Sequence, residues 1–93
     1  DKEMLEEMIQ IILDTNLQEL KHMEPLYDTS DWATIKKKCH KAKPSLSYIG
    51  AIQTRKLLET IEGDLENSFG HYQELTREIG IIENELRSFL ASI

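Results

Sequence analysis

His40 lies in the run Lys36-Lys37-Lys38-Cys39-His40-Lys41-Ala42-Lys43-Pro44. Imidazole is one of the few side chains that can take a group covalently on nitrogen and release it again. The surrounding charge points to an anionic group. All 17 acidic residues lie at or before Asp31 or at or after Glu59, so Trp32–Leu58 carries seven Lys/Arg and no carboxylate. This is a local charge of +7 inside a chain of net charge −6. A lone imidazole in such a field can meet an anion without local repulsion.

Helical spacing sharpens the expectation. Lys36, His40, Lys43 and Ser47 are spaced 4, 3 and 4, which stacks them along one side of a helix. Lys36 and Lys43 then lie one turn before and one turn after His40, and a phosphoryl group on the ring would gain two cationic neighbours. Ala42 and Ser45 are small and leave room for a partner to approach. His22 and His71 lack this setting: Pro25 stands three residues after the first and Glu74 three after the second, so both are expected to be ordinary surface or rim residues. Cys39 and His40 are adjacent and point apart on a helix, so no metal site is expected.

Four helices are predicted to position these residues, over about 2–23, 30–49, 51–62 and 68–91. The first has a stripe of Leu5, Met8, Ile9, Ile12, Leu13, Leu17, Leu20 and Met23, with Pro25 as its stop. The second starts in the Asp28–Asp31 cluster of good caps and ends at Gly50. Its seam, Trp32, Ile35, Cys39, Ala42, Leu46 and Ile49, is spaced 3, 4, 3, 4, 3, which puts His40 about 100° from Cys39 at the edge of the core. The third turns Ile52, Leu57, Leu58 and Ile61 inward. The fourth repeats Tyr72, Leu75, Ile79, Ile82, Leu86 and Phe89. Pro44 falls inside the second helix, where its ring presses on the His40 carbonyl and is expected to bend the helix. Short connections between long amphipathic helices predict an all-α, antiparallel up-down four-helix bundle in one domain, with the histidine on the second helix.

Composition narrows the class. Ninety-three residues allow one small core. A single cysteine excludes an internal disulfide framework and fits a reducing, cytoplasmic compartment. No apolar run approaches the ~20 residues of a membrane span. Overall acidity disfavours nucleic acid as a partner.

Cys39-His40-Lys41-Ala42-Lys43-Pro44-Ser45-Leu46-Ser47-Tyr48-Ile49-Gly50-Ala51 resembles the signature of histidine-containing phosphotransfer (HPt) domains of bacterial phosphorelays. That signature runs Ala-His, any residue, an apolar residue, then Lys-Gly-Ser/Ala, with a hydrophobic-Gly pair some ten residues after the histidine. Here Cys39 replaces alanine, Ala42 the larger apolar residue and Pro44 the glycine. The resemblance implies that His40 accepts a phosphoryl group from a receiver-domain aspartyl phosphate and passes it to another receiver. Lys43 would stabilise the phosphoryl group and Lys36 would assist. Lys37, Lys41, Pro44, Ser47 and Tyr48 would face the partner, and Gly50 would terminate the helix. It further implies a monomeric carrier without kinase activity or cofactor of its own, the Mg²⁺ residing on the receiver. The chain opens inside its first predicted helix, so a domain of a longer chain is expected, such as the C-terminal module of a hybrid sensor kinase. Two other readings compete: a helical protein–protein interaction module with an inert His40, and a nucleic-acid binder using the lysines of the second helix.

Overall fold

The computed structural model describes all 93 residues, Asp1–Ile93. It is entirely helical: α1 (Lys2–Ile11), a π-helical turn (Ile12–Asn16), α2 (Leu17–Lys21), α3 (Glu24–Asp28), α4 (Trp32–Tyr48), α5 (Ile52–Gly63), a 3₁₀ turn (Leu65–Asn67) and α6 (Phe69–Ser92). α1, the π turn and α2 form one continuous rod, because Ile12, Asn16 and Leu17 all keep right-handed helical backbone angles. Four long helical segments thus pack around one core of 15 buried apolar residues.

Local signals explain most boundaries. The Asp1 carboxylate accepts the Met4 N–H at 2.8 Å and opens α1. Asp31 does the same for α4, taking the Thr34 N–H at 3.2 Å and the Thr34 hydroxyl at 2.8 Å. α4 ends at the glycine expected to stop it. Gly50 has φ +75°, its N–H donates to the Ser47 carbonyl, and the Ala51 N–H donates to Leu46 at 2.8 Å. This is the Schellman pattern, which satisfies carbonyls that the helix end would orphan. α3 ends in the same pattern, but Ser30 occupies the left-handed position, at φ 55°.

Three features depart from the expected helices. The first rod stops at Lys21, and Pro25 opens the short α3 rather than merely ending what precedes it; the ring lacks an N–H that the first helical turn would leave unpaired anyway. Tyr72 fixes this break: its hydroxyl accepts the Met23 N–H at 2.8 Å and donates to the Lys21 carbonyl at 3.0 Å. The predicted first helix also contains a π turn over Ile12–Asn16, and Asn16 closes it. Asn16 accepts the Ser45 hydroxyl at 2.7 Å, across to α4. Finally, Ile52 and Phe89 are exposed rather than inward: Ile52 is the first residue of α5, and Phe89 lies near the end of α6. Trp32 is half-buried, edge-on to Tyr27 with ring centres 5.8 Å apart.

No helix is long and apolar enough to cross a membrane. α4 continues as α-helix through Pro44, which is exposed.

Candidate functional site

The seam of α4 is buried as the spacing requires, with Ile35, Cys39, Ala42 and Leu46 in the core. One position beyond Cys39, the His40 side chain is 75% exposed. The covered side of its ring meets α5. His40 Nδ1 lies 3.6 Å from Glu62 Oε2, and Lys43 Nζ lies 3.1 Å from Glu62 Oε1. Glu62 follows the buried Ile61 by one position, as His40 follows Cys39, so the two side chains meet at matching edges of packed helices.

Glu62 corrects the expectation of an acid-free surround. Trp32–Leu58 carries no carboxylate in sequence, but folding brings one to His40 and Lys43. The contact with His40 is too long for a hydrogen bond and close enough for the charge to be felt. Nδ1 is the ring nitrogen nearer the Glu62 carboxylate. Lys43 and Glu62 are only 17% and 14% exposed, so this pair is held by packing. Glu62 Oε1 has charge compensation from Lys43 yet no well-directed hydrogen bond.

The remaining lysines divide into two sets. Lys38 and Lys41 lie 3.9 and 3.3 Å from Glu19 of α2. Lys36 and Lys37 are exposed, with no carboxylate in ion-pair range. Ala33, Lys36, Lys37, His40, Lys41 and Glu62 line a shallow groove of about 500 Å³. An anion placed there has two free cations and the imidazole in reach.

Cys39 is no rival nucleophile. Burial first, then the Glu62 charge, pushes its thiol up to about 12, with Lys43 offsetting only part of this. The thiol stays protonated at neutral pH.

Other candidate residues lie apart from the groove. The Ser47 hydroxyl accepts a hydrogen bond from the Arg55 guanidinium of α5. Tyr48 is 52% exposed and lies with Leu5, Ile9 and Phe89 around a different cavity. Pro44 is exposed and Gly50 closes the helix. His22 is exposed, with Nδ1 2.8 Å from the Gln18 carbonyl, and His71 is also exposed.

Sequence reasoning missed Glu62. Its position beside Ile61 on the next helix was visible, but only the pairing of α4 with α5 turns that into a contact with His40. It also missed Glu83, buried on α6, which accepts hydrogen bonds from Gln18 at 2.8 Å and Lys21 at 3.0 Å. Gln18 additionally donates to the Leu13 carbonyl within the π turn. No family model matches this chain, and comparison with curated proteins and with solved structures found no match.

Proposed function

We propose that this chain is a phosphocarrier of the histidine-phosphotransfer kind, built as an up-down four-helix bundle, in which His40 accepts a phosphoryl group from an aspartyl phosphate and yields it to another receiver. One observation carries this reading: an exposed imidazole, its Nδ1 3.6 Å from Glu62, that lines a groove together with the unpaired Lys36 and Lys37.

The chemistry balances without further groups on this chain. His40 Nε2 attacks phosphorus, the P–O bond to the aspartyl carboxyl breaks, and the carboxylate leaves with the bonding pair. The ring becomes a phospho-imidazolium, whose positive charge faces Glu62. Lys36 and Lys37 can meet the phosphoryl oxygens, and Lys43 holds Glu62 in place. Phosphoryl transfer depends chiefly on in-line positioning and charge neutralisation, and a partner receiver with its Mg²⁺ would supply the rest. The chain has no kinase role in this scheme and acts as a cytoplasmic monomer. Lys37, Lys41 and Pro44 share the exposed side of α4 and form the nearest docking surface; a basic surface suits the acidic pocket of a receiver.

The test mixes the protein with phosphorylated receivers and looks for acid-labile, alkali-stable phosphate. Label on wild type and none on His40→Gln, with equal helicity, supports the carrier. A folded wild type left unlabelled by several receivers points to a helical interaction module with an inert His40.

A further inference from the structure

Aromatic residues from three helices gather in one place: Tyr27 of α3, Trp32 at the start of α4, and Phe69 and Tyr72 at the start of α6. Two tight turns bring them together. Ser30, in the left-handed region at φ 55°, turns the chain between α3 and α4 so that the Tyr27 and Trp32 rings meet. The 3₁₀ turn Leu65–Asn67 delivers Phe69 as the first residue of α6, its ring centre 5.4 Å from that of Tyr27. Tyr72 is buried and packs on Tyr27 at 5.0 Å between ring centres. The Tyr27 hydroxyl is already engaged: it donates to Ser68 Oγ at 2.7 Å, and the Ser68 hydroxyl donates to the Leu65 carbonyl at 2.7 Å. Packing and this hydrogen-bond chain together fix the Tyr27 ring.

Trp32 and Phe69 stand steeply against Tyr27, at interplanar angles of 75° and 69°, and pack on it rather than on each other. The gap they leave is a pocket. Tyr27, Trp32 and Phe69, with Asp28 and Glu66, line an open cavity of about 240 Å³, and Phe69 is 40% exposed beside it. No Lys or Arg is part of this wall. Asp28 and Glu66 are exposed and form no ion pair. Lys36, one turn beyond Trp32, lines the His40 groove instead. The Asp31 carboxylate caps the N-terminus of α4, so the positive end of that helix dipole is answered within the protein.

Three rings and two unpaired carboxylates favour one class of ligand. Aromatic faces attract cations, and most strongly those that lose water easily. A primary ammonium is strongly hydrated and has three N–H groups to satisfy, whereas most of this wall is hydrocarbon. A quaternary ammonium has no N–H, presents methyl groups to the rings, and is drawn by the carboxylates at the rim. An anion would be repelled by the same two carboxylates.

We infer that the pocket of Tyr27, Trp32 and Phe69, with Asp28 and Glu66 at its rim, binds a quaternary ammonium group, carried either by free choline or by a trimethylated lysine side chain of a partner protein. This binding is separate from the chemistry at His40 and does not depend on it.

Trp32 is the single tryptophan, so indole fluorescence and the indole N–H resonance report on this pocket directly. The whole chain is titrated at constant ionic strength with choline chloride and with dimethylbutanol, the uncharged isostere in which carbon replaces nitrogen. A short peptide carrying trimethyl-lysine and its unmodified twin form the second arm. The expected result is a saturable change at Trp32 with choline or the trimethyl-lysine peptide, and nuclear Overhauser contacts from the N-methyl protons to the Trp32 and Phe69 rings. The tighter of the two ligands identifies the source. The isostere and the unmodified peptide should bind at least about threefold more weakly. Phe69→Leu, which keeps apolar bulk without a ring, and Glu66→Gln should each weaken binding about two- to fivefold. Phe69→Tyr should retain it, and Glu85→Gln, in the C-terminal half of α6, should leave it unchanged. An equal response to the isostere, no saturable change with either ligand at roughly 100 mM, N-methyl contacts elsewhere, or affinity indifferent to Phe69→Leu with helicity retained would overturn the proposal. His40→Gln should bind as wild type does, so this result and the phosphate labelling stand or fall separately.

Discussion

Glu62→Gln isolates the charge that joins α4 to α5 while keeping the side-chain shape. At the 3.1 Å separation from Lys43, Coulomb attraction is about 1.3 kcal/mol in a water-like medium and about 5 kcal/mol at an effective dielectric near 20. Desolvation of both groups offsets much of this. The pair is mostly covered but not sealed, so it falls between exposed pairs, worth about 0–1 kcal/mol, and buried pairs, whose breaking costs about 3–5 kcal/mol. A loss of about 1–2 kcal/mol on Glu62→Gln is expected, because Lys43 keeps its charge in a half-closed site without a partner. For a domain of this size each kcal/mol moves Tm by about 4–8 °C. Urea unfolding of wild type, Lys43→Met, Glu62→Leu and the double variant completes a cycle. Each single change should destabilise, whereas the double variant should recover to within about 1 kcal/mol of wild type, because no unpaired charge remains. The double variant should nevertheless take phosphate from a receiver more slowly, its imidazole having lost the carboxylate at Nδ1. A coupling energy near zero would refute the claim that packing holds this pair. Undiminished labelling of a stable double variant would refute the positioning role of Glu62.

Three further outcomes follow from the packing. Tyr72→Phe removes the hydroxyl that holds the Met23 N–H and the Lys21 carbonyl; leaving a buried donor unsatisfied should cost about 1–3 kcal/mol, read as a lower urea midpoint. Ser30→Gly relieves a left-handed position at φ 55° and should stabilise by about 0.5–1 kcal/mol; a fall in Tm would contradict this. Burial alone would raise the Glu83 carboxyl, yet hydrogen bonds from Lys21 and Gln18, with the charges of Lys21 and Arg87, hold it below the usual carboxylate range. A carboxyl lowered on folding contributes stability above its unfolded value and loses it as pH falls through the folded one. Glu83→Gln should therefore flatten the acid limb of stability against pH, and an unchanged limb would exclude Glu83 as a contributor.

Apolar periodicity marked the four long helical segments, because a stripe at 3.6-residue spacing is buried by a helix, but it did not mark the break at Lys21 or the short α3. The spacing of Trp32 to Ile49 placed Cys39 in the core and His40 at its rim, and Gly50 marked the end of α4 through the left-handed backbone region, which glycine, lacking a Cβ, enters without strain. Charge along the chain identified the lysine-rich side of α4. Other features depended on contacts between distant residues. Asn16 gave no warning of the π turn that it ends, nor of the hydrogen bond it accepts from Ser45 of another helix. The break before α3 is held by Tyr72, 49 residues after Met23. Glu62 sits 22 residues beyond His40, and the carboxylate-free run along the sequence became a site with a carboxylate once α5 folded onto α4. Local sequence governs backbone propensity and which face is apolar. Tertiary packing decides which polar groups meet across faces, since that depends on the register and length of one helix against another.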